Sequence, residues 1–242
     1  MVIYGIHPVT EALGAEDRSL ERILVQRGKA NPRLQKIIEL ARNRGVPVRF
    51  ESSEVLHQKA STPNHQEVVA EVSPIEYVEL SDILRHHPTL LLMVAGVEDP
   101  HNLGALLRTA EAVGVEGVLI PSRRACPVTP TVVKCSAGAA LHLRIARIGN
   151  VRQTLEKLKR EGLWVVGLDP AGTTHPSLLD TSLPLVVIVG GEQDGLSRLV
   201  RQHCDFLTAL PMKGRVASLN LSVAAGVFLY QVLLRRGGDL SA

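Results

Sequence analysis

Aromatic side chains are scarce: one Trp, three Tyr and three Phe in 242 residues. The core must be packed from aliphatic side chains, and a nucleic-acid surface built on many stacked rings is disfavoured. Cysteine is scarce too. Cys126, Cys135 and Cys204 are odd in number, widely spaced and form no CxxC pair. They offer neither a disulfide framework nor a zinc knuckle and suit a reducing compartment. No apolar run reaches the roughly 18–20 residues of a membrane span. The opening Met-Val-Ile-Tyr-Gly-Ile-His-Pro lacks the basic region and long apolar core of a signal peptide, so a cytoplasmic protein is expected. The 20 glycines are not scarce, yet no two are separated by a single residue. GxGxxG is therefore absent, as are GxxxxGK[ST] and HExxH. A classical dinucleotide site, a P-loop and a metal site all lack support.

What is present is ordinary in total and uneven in distribution. With 45% hydrophobic and 21% charged residues the chain suits one large or two modest globular domains. The formal net charge is only +3. Residues 121–160, however, hold 9 basic side chains against 1 acidic, and residues 196–242 hold 6 against 2. Residues 161–195 carry 5 acids and no base. The basic stretch could face a polyanion, or be the solvated face of the helix that bears Arg152, Lys157, Lys159 and Arg160. Charge alone does not choose between them. Arg outnumbers Lys 20 to 7, which suits bidentate phosphate contacts.

Hydrophobic periodicity divides the chain. Residues 1–74 read as a small α/β unit, with helices over Pro8–Leu13, after Asn31-Pro32, and over Glu54–Ala60 behind a Ser53 cap. Its strands are expected at Arg22–Gln26, Val46–Phe50 and Val68–Val72. Residues 75–88, acidic and bracketed by Pro74 and Pro88, read as a linker with a short helix from Ser81. Residues 89–242 read as a larger α/β domain. Its strands are expected at Leu90–Val94, Val118–Pro121, Leu163–Leu168, Leu185–Val189 and Leu207–Leu210. Its helices are expected at Leu103–Val113, Val132–Ala140, Val151–Arg160, Leu196–His203 and Leu219–Arg235. The continuous apolar strands imply a mostly parallel sheet covered on both faces.

Three segments of the larger domain stand out. Gly96-Val97-Glu98-Asp99-Pro100-His101-Asn102 leaves a strand and opens a helix that carries Arg108 among small apolar neighbours. Asn102 can cap that helix or hold a ligand. Val189-Gly190-Gly191-Glu192-Gln193-Asp194-Gly195 is a glycine-rich turn after a buried strand. Glycine there permits positive φ and close approach, while Glu192 disfavours a phosphate ligand. Leu210-Pro211-Met212-Lys213-Gly214-Arg215-Val216-Ala217-Ser218-Leu219-Asn220-Leu221-Ser222 places regularly spaced polar groups before a small-residue helix, as caps or as ligand contacts.

In this order, at the ends of strands, the three segments resemble the signature motifs of the SPOUT RNA methyltransferases, in the TrmH-like (SpoU) branch. The resemblance covers nearly the whole chain. Ile3-Tyr4-Gly5-Ile6-His7 and Asn64-His65-Gln66-Glu67-Val68-Val69-Ala70 resemble the branch's N-terminal RNA-binding domain, which is similar to ribosomal proteins. Lys134 with Ser136-Ala137-Gly138-Ala139-Ala140, and Arg201-Gln202-His203-Cys204-Asp205, resemble members that methylate ribosomal RNA. Two positions depart from the pattern: Gln193 and Glu67 both stand where glycine is usual.

The resemblance implies a C-terminal parallel α/β domain with a deep trefoil knot. It implies a homodimer whose sites combine groups from both protomers. It also implies S-adenosylmethionine-dependent 2′-O-methylation of a ribose, that of a guanosine in 23S ribosomal RNA. Its motifs make Asn102, Arg108, Glu192, Ser218 and Asn220 the catalytic candidates. They assign the cofactor to Val189, Gly190, Gly191, Glu192, Gly195, Leu210, Met212, Ser218 and Leu219. Arg123, Arg124, Lys134, Arg144 and Arg215 are the RNA-binding candidates. Arg108 would act either as a perturbed base or as a clamp on a phosphate and the forming alkoxide. The rivals are the same chemistry on transfer RNA, protection of ribosomes from an antibiotic by ribose methylation, and a non-catalytic RNA-binding or ribosome-assembly factor.

Overall fold

The computed structural model describes residues 1–15, 20–28, 31–215 and 218–237. The expected motif residues Val216 and Ala217 lie outside the described residues. In chain order the first elements are β1 (Val2–Tyr4), α1 (Ile6–Gly14), β2 (Leu20–Gln26), α2 (Pro32–Asn43), β3 (Val48–Glu51), α3 (Ser53–Ala60) and β4 (Val68–Val72). There follow α4 (Leu80–Leu84), β5 (Leu90–Val94), α5 (Pro100–Ala112), β6 (Gly117–Pro121), α6 (Pro130–Cys135) and β7 (Ile145–Ile148). The last are α7 (Val151–Arg160), β8 (Trp164–Leu168), β9 (Leu185–Val189), α8 (Arg198–His203), β10 (Phe206–Thr208) and α9 (Leu221–Arg235). No described helix is long and apolar enough to cross a membrane.

The chain forms two compact units, Met1–Ile75 with Val128–His142, and Glu76–Pro127 with Leu143–Ala242. The first unit is built on a four-stranded sheet in the order β1-β4-β2-β3, in which only β2 and β3 are parallel. Asn31 caps α2 with Pro32 in its first turn, as the sequence predicts. The cap of α3 is Ser52, one residue before the expected Ser53, because Ser52 holds the extended backbone a cap needs and accepts from the Val55 amide. Gln66 and Glu67 turn into β4 with φ of 52° and 65°. That left-handed backbone is where glycine costs least, which explains glycine's suitability at position 67.

Segment 128–142, expected within the larger domain, belongs to the first unit, and α6 packs beside β1. The expected helix Val132–Ala140 is two pieces, α6 and a 3-10 turn at Ala139–Leu141, separated by Gly138 at φ 98°. A side chain at Gly138 would strike Glu11, and Glu11 in turn pairs with His142 at 2.9 Å. Both contacts join parts of the sequence more than a hundred residues apart, which local periodicity does not register.

Glu71 ties this unit together electrostatically. It accepts from Arg22 at 2.6 Å and from Lys59 at 2.9 Å, and these bonds hold its carboxyl below the ordinary carboxylate range. Its folded pKa lies below its unfolded one. The resulting stability is present above the unfolded value and lost as pH falls through the folded one. Urea midpoints of the unaltered protein should therefore drop as pH falls below about 4.3. Those of Glu71→Gln should start lower at pH 7 and vary less over the same acid range. Parallel profiles would show that the pair contributes nothing.

The second unit is a six-stranded, wholly parallel sheet in the order β10-β8-β9-β5-β6-β7. β5, β6 and β9 are buried along their whole length, as parallel strands covered on both faces must be. Leu91, Met93, Val186 and Ile188 face Leu155 and Leu158 of α7 and Val200 of α8. The alternate strand residues point to the opposite face, where α5 and α9 pack on one another. From β5 the chain steps outward through β6 and β7, while β9 is laid against the other flank of β5. That reversal of strand order opens a crevice at the carboxyl ends of β5 and β9, where ligands of such sheets bind.

Of the expected linker 75–88, residues 76–88 are tied into this unit. The Val78 amide donates to Ile145 O at 2.9 Å, and Ile83 and Leu84 are buried. Gly117 has no room for a side chain because Ile83 lies where its Cβ would be. Acidic residues interleave with these apolar anchors and give the segment its linker-like composition. At the far end, Arg236 locks α9 down. Its guanidinium donates to the carbonyls of Thr181, Thr89 and Leu183 at 2.6, 3.0 and 2.7 Å.

Candidate functional site

The crevice is shaped by three segments that each leave a secondary-structure element under constraint. After β5, Asp99 caps α5 by accepting from the His101 amide at 2.9 Å, with Pro100 in the first turn. Of the two readings open for Asn102, the cap is thereby excluded. Pro100 has a preset helical φ and starts the helix three residues earlier, so the Asn102 carboxamide is left free to point sideways.

After β9, residues 190–195 form a tight loop closed by Gly191 N to Gly195 O at 3.0 Å and Gly195 N to Gly191 O at 3.1 Å. Each glycine is required for its own reason. A Cβ on Gly190 would lie 2.2 Å from the Gly195 carbonyl carbon, and one on Gly191 would lie 2.6 Å from Gly96 O. Gly195 has φ of 60°. Gln193 and Asp194 need no such allowance, so the departure at Gln193 leaves the loop intact.

Before α9, Asn220 is the cap. Its Oδ1 accepts from the amides of Ser222 at 2.9 Å and Val223 at 3.4 Å and from the Ser222 hydroxyl at 2.6 Å. Only an oxygen can accept from those donors, which fixes the carboxamide and turns its Nδ2 outward. Nδ2 then donates to Asn102 Oδ1 at 3.1 Å, and Asn102 Nδ2 donates to Glu192 Oε1 at 3.1 Å. The result is a polarised line of hydrogen bonds. It begins at the positive end of the α9 dipole and ends on a carboxylate, so each group reinforces the next.

This line borders a cavity of about 370 Å³. All nine residues expected to hold the cofactor line it. Val189, Gly190, Gly191, Glu192 and Gly195 come from the loop after β9. Leu210, Met212, Ser218 and Leu219 come from the segment before α9. Sequence reasoning missed the third wall, Leu168-Asp169-Pro170 after β8 and Thr208-Ala209 after β10. Asp169 is nearly fully buried, pairs with Arg201 at 2.7 Å and holds the Ala171 amide at 2.9 Å. An Asp-Pro after an apolar strand was the available signal.

Four of the five catalytic candidates thus converge. Asn102, Glu192 and Asn220 are bonded, and Ser218 lines the same cavity. Arg108 stands apart, exposed on α5, lining neither this cavity nor the next and making no hydrogen bond or ion pair with the described residues. Of the RNA-binding candidates, Arg123 and Arg124 line a second cavity of about 640 Å³ that shares Gly191, Glu192, Gln193 and Gly195 with the first. Arg144 and Arg215 are exposed. Lys134 is held within the first unit, where its Nζ donates to Gln66 Oε1 at 2.6 Å and lies 5.8 Å from the centre of the Tyr4 ring. Burial lowers its pKa, and Gly5 beside it has φ of 98°, a backbone that favours glycine.

Residues 89–230 match the SpoU rRNA Methylase family, and residues 2–78 match the domain described as RNA 2′-O ribose methyltransferase substrate binding. The chain is 42% identical to the 23S rRNA (guanosine-2′-O-)-methyltransferase RlmB of Pseudomonas putida, over 97% of this chain and 96% of that protein. It is 41% identical to YacO of Bacillus subtilis, a TrmH-family protein whose name covers both tRNA and rRNA, over 97% and 95% of the two chains. Among solved structures, an AdoMet-bound rRNA methyltransferase from Sinorhizobium meliloti superposes with a TM-score of 0.79 at 26% identity, over 98% of this chain and 87% of that one.

Proposed function

The chain belongs to the SpoU family of RNA methyltransferases, and we propose that it uses S-adenosylmethionine to methylate the ribose 2′-oxygen of a guanosine in 23S ribosomal RNA. The observation that carries this reading is the bonded line Asn220–Asn102–Glu192 at the rim of a cavity that gathers every expected cofactor residue. The substrate-binding domain and the 42% identity to a 23S rRNA enzyme support the choice of RNA. The likeness to YacO keeps transfer RNA as the second reading.

The cavity suits such a cofactor. Gly190, Gly191 and Gly195 line it, and Glu192 gives it acidic character. When bound, S-adenosylmethionine supplies a methyl group already activated on a sulfonium. The residues of the chain then have to align the ribose hydroxyl and stabilise it as its proton leaves. Asn102 cannot swing, because both ends of its carboxamide are committed. Glu192 is thereby held at the partition between the two cavities, and Asn220 is fixed by α9. A guanidinium has donors and no acceptor, so the clamp on phosphate and forming alkoxide is the role of Arg108 in this reading.

Arg108 reaches that role from a second copy of the chain. Val223, Val227, Tyr230 and Leu234 form an exposed apolar stripe on α9, which packs alongside the helix bearing Arg108. A homodimer joined on this stripe would cover it and bring each Arg108 to its partner's cavity. The trefoil knot belongs to the same reading.

The test is labelled S-adenosylmethionine with unmodified 23S fragments and transfer RNA, followed by mapping of the methylated nucleotide. Ribose methylation of a 23S guanosine is expected. Transfer only to tRNA would establish the second reading, and transfer to neither would overturn both. RNA affinity should also fall steeply with salt. Neutralising Arg123 and Arg124 together should lower the log–log slope by about 1–2, and an unchanged slope would place the RNA elsewhere.

A further inference from the structure

The second cavity has a lining that the methyl-donor site does not explain. On one side stand the exposed Arg123 and Arg124, following β6. On the other stand the exposed carboxylates of Glu98 and Asp194, from the loops after β5 and β9. Pro121, Val151, Leu199 and Val200 supply the apolar part of the lining. Two guanidinium groups and two carboxylates line one cavity, yet none of the four side chains makes an ion pair or hydrogen bond with the described residues. The other acids of this lining are committed, Asp99 to the α5 cap and Glu192 to Asn102. Unpaired charges of both signs and apolar side chains in one lining match a ligand that has an anionic group, a flat apolar part and an edge rich in donors.

We propose that this cavity seats the acceptor nucleotide, turned out of the RNA stack, and that Asp194 and Glu98 select guanine over adenine. The proposal rests on the RNA methyltransferase reading and names the part of the site that chooses the base. The nucleotide's phosphate lies on Arg123 and Arg124, where paired donors meet its oxygens. Its base lies on the apolar part of the lining, as extruded bases do in pockets that read their pairing edge. Guanine presents two adjacent donors on that edge, the ring N1–H and the exocyclic amine. A carboxylate accepts both at once. Adenine offers one amine and, beside it, a lone pair that a carboxylate repels. Glu192, Gly191, Gln193 and Gly195 belong to both cavities, so the ribose of a nucleotide seated here lies against the partition that faces the methyl donor.

The test uses the RNA fragment that the unaltered protein methylates, remade with guanosine, inosine or adenosine at the acceptor position. Turnover and RNA affinity are both measured. Inosine keeps the N1–H and lacks the amine. The unaltered protein should rank guanosine above inosine above adenosine, with adenosine about 10²-fold or more below guanosine in kcat/KM. Asp194→Asn combined with Glu98→Gln should bring the three within about threefold. S-adenosylmethionine affinity should stay unchanged, because neither residue lines the donor cavity. Full discrimination by the double variant, in turnover or in RNA affinity, would overturn the proposal while leaving the enzyme reading intact. Equal use of adenosine and guanosine by the unaltered protein would do the same. Methyl transfer to no RNA by the unaltered protein would overturn the reading beneath it.

Discussion

Arg108→Ala is expected to reduce methyl transfer by about 10²–10³-fold or more, the usual result of deleting a donor aimed at developing negative charge. S-adenosylmethionine affinity should change by less than about threefold, because Arg108 does not line the donor cavity. Stability should be unaffected as well, since the exposed side chain has no hydrogen bond or ion pair to lose. Arg108→Lys keeps the charge without the planar fork and should recover only part of the activity. The position of Arg108 makes a sharper test available. If it serves a partner's cavity, neither Arg108→Ala nor Asn220→Ala is active alone. Mixed assemblies of the two variants would rebuild one intact site per heterodimer. Co-refolding them should restore up to about a quarter of the unaltered activity, the share set by random pairing in a two-fold dimer. No recovery would assign Arg108 to its own chain, and full activity of Arg108→Ala alone would remove it from the chemistry.

The parts of this site that were legible in the sequence are those governed by local rules. β5 and α7 run over the expected residues because an uninterrupted apolar run and a 3.6-residue period each have one good solution. The glycines of the loop after β9 announced a tight turn, and the turn is there. What local rules could not show was pairing at a distance. Asn102 looked like a cap because it precedes an apolar helical run. Its true partners, Glu192 and Asn220, lie 90 and 118 residues away. β1 and β7 were not foreseen: each is short and sits at a sheet edge. Edge strands carry only part of the apolar signal that buries a central strand. Lys134 counted as a free basic residue until the fold set it against Tyr4 and Gln66. Composition likewise misread residues 75–88, where the acids masked the buried apolar anchors Ile75, Ile83 and Leu84 and the partly covered Val78.

Gly190→Ala is expected to lower S-adenosylmethionine affinity by about 10²-fold or more, with a loss of stability of about 1–3 kcal/mol. The added methyl would stand 2.2, 2.3 and 2.5 Å from the Gly195 carbonyl carbon, the Gly195 oxygen and the Leu196 nitrogen. All three atoms are backbone, so no side-chain rotation relieves the contact. The same stretch is closed by the paired Gly191–Gly195 hydrogen bonds, and Leu196 behind it is buried in the core. The loop must therefore open toward the cavity it lines. Gly214→Ala is the matching control. It lies in the segment between β10 and α9, has no atom of the described residues within 4 Å of the added methyl and is not in the left-handed region. Its effect on cofactor affinity should stay within about twofold. Calorimetric titration of both variants separates the two cases. Normal binding by Gly190→Ala would mean that S-adenosylmethionine does not sit in the cavity between the glycine loop and α9, and the bonded line Asn220–Asn102–Glu192 would then need a different purpose.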